Sequence, residues 1–163
     1  MLGQDEPSPT ESNPLWILAV NVRKLRADAN WSTRQFALHA GLSMSSLYGI
    51  EHGKQKTVRL STVDNIAKAF GVHTGVLLSN GGLPRRPWSG EDPLHLAAAA
   101  LVSRREALGW TQDELASAAK VSRDIVAKIE RQNRNPTLAV LHRLCLALGS
   151  EVHELFKPIG TFP

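Results

Sequence analysis

Residues 101–149 read LVSRREALGWTQDELASAAKVSRDIVAKIERQNRNPTLAVLHRLCLALG, and this stretch decides the fold. Leu115, Ala116 and Ala119, then Val126 and Ile129, fall at helical spacing, so each set lies on one face of a short helix. Thr111 and Ser122 stand just ahead of these runs, where a hydroxyl can accept from the free N–H groups of a first helical turn. No segment alternates apolar and polar residues over a useful length, which predicts an all-α chain.

The same pattern occurs earlier. Slid on itself by 79 residues, the chain matches Pro14 to Pro93, Ala19 to Ala98, Arg26 to Arg105 and Trp31 to Trp110. In the same register Ala37, Ala40, Ser43 and Ile50-Glu51 match Ala116, Ala119, Ser122 and Ile129-Glu130. After one inserted residue the offset becomes 78, with Leu60 on Leu138, Ala69 on Ala147 and Gly71 on Gly149. Chance identities do not gather at one offset and resume after a single gap, so the unit is duplicated.

Each copy is predicted to hold five helices. Asn13-Pro14 and Asp92-Pro93 open the first, each a capping side chain followed by a first-turn proline. Ser32 and Thr111 cap the second, which Gly41 closes in copy one; Ser43 and Ser122 cap the third. The fourth opens near Ser61 or Thr137, and a short fifth covers 74–78 or 152–156. The expected organisation is therefore a disordered acidic tail over 1–13, a domain over 14–78, a linker over 79–92 and a second domain over 93–157. The Gly- and Pro-rich linker composition predicts an exposed, flexible tether, whose Arg85 and Arg86 are more readily read as solvated than as phosphate ligands.

Composition narrows the partners. The net charge of +4 divides unevenly: −3 over residues 1–14, +5 over 15–80, zero over 81–95 and +2 over 96–163. A basic body behind an acidic tail suits a polyanion. Cys145 is the single cysteine, which excludes an intramolecular disulfide and suits a reducing compartment. The apolar run at 15–20 is too short for a signal core or a membrane span, so a cytoplasmic protein without membrane contact is expected.

The second copy closely resembles the lambda-repressor/Cro-like (Xre-type) helix-turn-helix family. The resemblance rests on Arg105-x-x-x-Gly109-Trp110-Thr111-Gln112-x-x-Leu115-Ala116, Val121-Ser122-x-x-x-Val126-x-x-Ile129-Glu130 and Asn135-Pro136-Thr137-Leu138. Copy one, VRKLRADANWSTRQFALHAGLSMSSLYGIEHGK at 22–54, follows it more loosely. The resemblance covers 15–78 and 94–156, and implies two tandem five-helix DNA-binding domains. It further implies a cytoplasmic, nucleoid-associated bacterial transcriptional regulator, a repressor acting on double-stranded DNA as a homodimer, without enzymatic activity or cofactor.

In that family the third helix enters the major groove while the second crosses the backbone. The resemblance therefore points to Thr111 and Gln112 as phosphate ligands at the start of the second helix. Ser122, Arg123, Asp124, Ala127 and Lys128 would face base edges, with Arg131, Asn133 and Arg134 on phosphates beyond. Arginine can fork onto guanine O6 and N7, and aspartate can accept from the cytosine amino group. The equivalent set in copy one is Thr33, Arg34, Ser43, Met44, Ser45 and Tyr48, followed by the basic Lys54, Lys56 and Arg59. With no cation at its reading positions, copy one is expected to dock on the backbone with apolar or hydroxyl base contacts, or else to serve dimerisation. The interior Gly49 costs about 1 kcal/mol against alanine, which suggests close approach of a partner's backbone.

Other conspicuous residues have plainer readings. The resemblance implies structural salt bridges Arg26–Glu51 and Arg105–Glu130, while Trp31 and Trp110 are expected to plug the core. His142 and Cys145 share a helix face but lack the further ligands that zinc needs. A rival reading is a protein-interaction module, an antitoxin or antiactivator, that binds a partner protein through the Met44–Tyr48 face.

Overall fold

The computed structural model describes residues 13–81 and 86–157. The predicted disordered tail, apart from Asn13, and Arg85 lie outside them. Among the described residues the chain is all-α. Copy one comprises α1 (Pro14–Asp28), α2 (Thr33–Ala40), α3 (Met44–Glu51), α4 (Leu60–Phe70) and α5 (Thr74–Leu77). Copy two comprises α6 (Pro93–Ala107), α7 (Gln112–Ala118), α8 (Arg123–Glu130) and α9 (Leu138–Ala147), and its fifth element is a 3-10 helix at Val152–Phe156.

The helix starts follow local chemistry. Asn13 and Asp92 accept from the N–H groups of Leu15 and Leu94 at 3.0 and 2.9 Å. Ser32 with Gln35, and Thr111 with Glu114, form reciprocal capping boxes, each hydroxyl contributing about 1 kcal/mol. The fourth helix of copy one begins one residue before its expected cap: Leu60 is already helical and Arg59 holds the N-cap position with no side-chain bond.

Between α7 and α8 the backbone turns through Lys120 at φ 54°, where copy one has Gly41 at φ 63°. A side chain in that left-handed region is strained. Lys120→Gly is therefore expected to raise the unfolding free energy by roughly 0.5–1 kcal/mol, read as a higher urea midpoint with unchanged slope.

The two copies share one core. Leu18, Phe36, Leu47 and Ile66 of copy one belong to the same buried cluster as Leu101, Leu115, Ile129 and Phe156 of copy two. The segments entering α4 and α9 pair antiparallel: Leu60 N–H donates to Pro136 O at 2.9 Å, and Leu138 N–H to Val58 O at 2.8 Å. Because Leu60 corresponds to Leu138 and Val58 to Pro136, these bonds interchange under a twofold rotation passing by Arg59 and Thr137. The packing obeys the same rotation: α1 rests on α9 as α6 rests on α4, and α5 packs on its own counterpart, the 3-10 helix. There a Cβ on Gly75 would stand 3.2 Å from Phe156 Cβ, so the small residue permits the approach. A polar clasp breaks the symmetry, since Asn135 accepts from Ser61 N–H at 3.2 Å and donates to Ser61 Oγ at 2.7 Å.

The linker also differs from a free tether. Ser79 is buried and its carbonyl accepts from Asn21 Nδ2 at 2.9 Å. Beyond the undescribed stretch, His73 N–H donates to Arg86 O at 2.8 Å and Trp88 N–H to Gly71 O at 3.1 Å. Arg86 pairs with Glu91 at 3.6 Å, and Lys68 lies over the Trp88 ring at 5.6 Å. Exposed it is, over 87–92, but pinned to the end of copy one.

His73 sits at this junction, buried, with Nδ1 accepting from Gly75 N–H at 3.3 Å. Burial, followed by the neighbouring Arg86 charge, holds its pKa below the usual 6.5, although Glu91 and Asp64 act the other way. The unfolded chain then binds this proton more readily than the folded one. The contribution is complete above pH 6.5 and declines as pH falls through the folded value. Thermal stability is expected to drop on acidification from pH 7.5 to 5.5. His73→Asn, which keeps an N-cap acceptor, should flatten that dependence; His142, whose pKa burial also lowers, contributes to the slope left over.

Candidate nucleic-acid interface

The exposed face of α8 is assembled from both sides of its cap. Ser122 Oγ accepts from Ile125 N–H at 3.3 Å, starting the helix, while Val126 and Ile129 fix its inner face in the core. A helix of 3.6 residues per turn so anchored must turn Arg123, Asp124 and Lys128 outward, and all three are exposed. Ala127 between them is half-buried and small.

The charged groups are held by one another. Arg123 Nε lies 3.3 Å from Asp113 Oδ2 on α7, and Lys128 Nζ lies 2.8 Å from Asp124 Oδ2. The Lys128 hydrogen bond, aided by the charges of Lys128, Arg134 and Arg131, keeps the Asp124 carboxyl below its usual pKa. Exposed pairs of this kind contribute only about 0–1 kcal/mol, so the cations are oriented yet cheaply released to another anion. Arg131, Asn133 and Arg134 follow on the exposed loop; Arg131 Nε donates to Ala127 O at 3.1 Å, and Asn133 N–H to Lys128 O at 2.8 Å.

Behind this face lies a tighter network. Arg105 donates through Nε and Nη2 to Glu130 at 2.7 and 3.1 Å, and through Nη1 to Trp110 O at 2.8 Å. Gln112 Nε2 donates to Glu130 Oε2 at 2.8 Å. The amide assigned from sequence to a phosphate is thus engaged internally, tying the start of α7 to the end of α8. Thr111, its cap, remains exposed.

Copy one keeps the frame and changes the face. Arg26 donates to both Glu51 oxygens, the longer bond at 3.3 Å, and to Trp31 O at 3.1 Å. Thr33 replaces Gln112 and brings no amide; Arg34 beside it is exposed. Ser43, Met44, Ser45 and Tyr48 are exposed, and Ser43 Oγ accepts from Ser46 N–H at 3.1 Å. The Tyr48 ring stacks on His52 at 3.9 Å with Lys54 Nζ 5.2 Å from its centroid. Lys54, Lys56 and Arg59 are exposed cations on the path to the twofold.

Gly49 lies against the loop that follows α3. Its carbonyl accepts from Lys54 and Gln55 N–H at 2.8 and 3.0 Å, and a Cβ there would meet Gln55 Oε1 at 3.0 Å. The chain's own loop thus approaches this glycine closely.

Trp31 stacks on Phe70 at 5.4 Å and His39 at 4.7 Å, with Phe36 beneath. Cys145 is buried, and burial pushes its thiol up to about 12, which leaves it a packing residue and a poor nucleophile. Sequence reasoning missed Asp113, which orients Arg123, and the Ser61–Asn135 clasp. The latter residues are 74 positions apart and carry no local signal.

Two helix-turn-helix families match the chain, one over residues 17–80 and the other over 101–155. An uncharacterized HTH-type transcriptional regulator of Methanothermobacter thermautotrophicus is 38% identical over 53 residues, covering 32% of this chain and 77% of that protein. Another, from Sinorhizobium fredii, is 38% identical over 60 residues, covering 37% of this chain and 77% of the relative. No solved structure matches. Among the described residues, no helix is long and apolar enough to cross a membrane.

Proposed function

Since the chain belongs to the Xre-type helix-turn-helix family of transcriptional regulators, we propose that it is a sequence-specific DNA-binding repressor whose α8 reads the major groove. The carrying observation is the outer face of α8, where Arg123, Asp124 and Lys128 are exposed while Val126 and Ile129 anchor the helix in the core. Arg123 exchanges Asp113 for guanine O6 and N7, and Lys128 exchanges Asp124 for a neighbouring acceptor. Asp124, so released, accepts from a cytosine amino group. Arg131, Asn133 and Arg134 hold phosphates, as do Thr111 and the free N–H groups at the start of α7. Copy one assists through α3 and its basic loop. Occupancy of a promoter would occlude polymerase, and the site of action is the cytoplasmic DNA of a bacterial cell.

Binding should be tight at low salt and weaken steeply as salt rises, because phosphate contacts release counterions. Arg123→Ala is expected to cost about 1–3 kcal/mol and to relax preference at one base pair. Quantitative band shifts against single-base operator variants measure both. An unchanged preference would remove α8 as the reader. A second reading rests on the half-exposed Met44 and Tyr48, which would equally suit a protein partner. Stoichiometric co-purification of that partner without specific DNA binding would favour it.

A further inference from the structure

We infer that one chain of this protein, as a monomer, occupies a complete operator made of two unlike half-sites and thereby binds DNA in a single orientation. The inference rests on the DNA-reading function proposed above and adds its stoichiometry, its polarity and the kind of site it takes.

The first support is the twofold relation between the copies. The paired backbone at Val58–Leu60 and Pro136–Leu138, and the contact of α5 with the 3-10 helix, are both self-equivalent, so both lie on the axis. Whatever direction α3 faces along that axis, α8 faces the same way, and the two present a common surface. The readers stand at the end of the axis marked by Arg59 and Thr137, because the loop after each runs directly into the paired segment. Half-sites on one face of B-DNA are about 34–36 Å apart, which places each reader about 17 Å from the axis. An eight-residue helix of about 12 Å followed by a short loop covers that distance.

The second support is the shared core, which occupies the place of a dimer interface. The contacts α1–α9, α4–α6 and α5–Phe156 join the two copies within one chain, in the isologous pattern that a symmetric dimer makes between two. The Ser61–Asn135 clasp and the pinned segment at 86–88 hold that pairing without a second chain.

The third is chemical inequality of the readers. The α8 face offers Arg123, Asp124 and Lys128, which suit G·C pairs. The α3 face offers Met44, Ser45 and Tyr48, which suit thymine methyl groups and single hydrogen bonds. Symmetric homodimers bind palindromes and cannot tell one direction from the other. This chain reads a G·C-rich half on one side and a T-rich half on the other, so its ends are fixed relative to the promoter.

The test uses the full chain and a random 30-base-pair duplex library. Selection is expected to enrich a non-palindromic site with two dissimilar halves about one turn apart. Light scattering should give the mass of one chain in the free protein and one chain per duplex. Scrambling either half should weaken binding on the order of 100-fold. With Cys145 buried, Leu38→Cys, at an exposed α2 position outside the DNA-contacting set, offers one accessible thiol for an iron-chelate cleavage reagent, expected to cut near the T-rich half alone. Two chains per duplex, a palindromic site or cleavage at both ends would overturn the inference and leave the regulator intact. Enrichment of no sequence would overturn both.

Discussion

Arg105→Ala should lower the unfolding free energy by about 3–5 kcal/mol, the usual cost of leaving one member of a buried pair alone. Glu130 is 6% exposed at its side chain and Arg105 11%. Without the guanidinium, the carboxylate keeps only the Gln112 amide among the donors described above, and Trp110 O loses its partner. Domains of this kind are held together by about 5–15 kcal/mol, so the loss is a large fraction of the whole. Urea unfolding followed by circular dichroism measures it. Arg105→Lys should recover part of the stability, since an ammonium restores charge without the two-pronged geometry. The change matters for the proposed function because Glu130 ends α8, the helix proposed to read the groove. A protein still folded at low temperature should show weaker discrimination among operators. A loss below about 1 kcal/mol would mean that the pair is far better solvated than its burial indicates.

Phe36→Ala is expected to cost a similar 3–5 kcal/mol and, more tellingly, to unfold copy two with copy one. Phe36 is fully buried, 4.5 Å from the Phe70 ring and 6.1 Å from Trp31. Removing it leaves a cavity under α2 in a core that continues without a break into α6 and α9. Two beads on a string would unfold separately, leaving the environment of Trp110 unchanged until its own transition. A shared core predicts one transition. With Trp16, Trp31 and Trp88 replaced by Phe, Trp110 fluorescence reports on copy two alone, and its midpoint should fall by the amount seen in circular dichroism. Independent midpoints would contradict the shared core.

Much of the architecture was legible because it is built from local interactions. Caps at Asn13, Ser32, Thr111 and Ser122 act within three residues, and the apolar periodicity of α7 and α8 within two turns. The helix type of the last element was less legible, since a five-residue segment lacks the length to separate α from 3-10 geometry. Of the interface, the outward cations on α8 follow from helix phase once the core face is known. The bonding state of Gln112 does not: whether its amide meets a phosphate or Glu130 depends on where α8 ends in space, 18 residues on.

By itself, then, the chain of letters determined a duplicated helical unit, its helix starts and the face that each helix buries, because those depend on neighbours along the backbone. Only the tertiary structure decided that the two units merge about a twofold, that the linker is pinned and that Asp113 parks Arg123. Those outcomes rest on shape, and on ion pairs and hydrogen bonds between residues 10 to 80 positions apart. No local pattern encodes such contacts, since their loop-closure cost and packing reward appear only when the whole chain is compact.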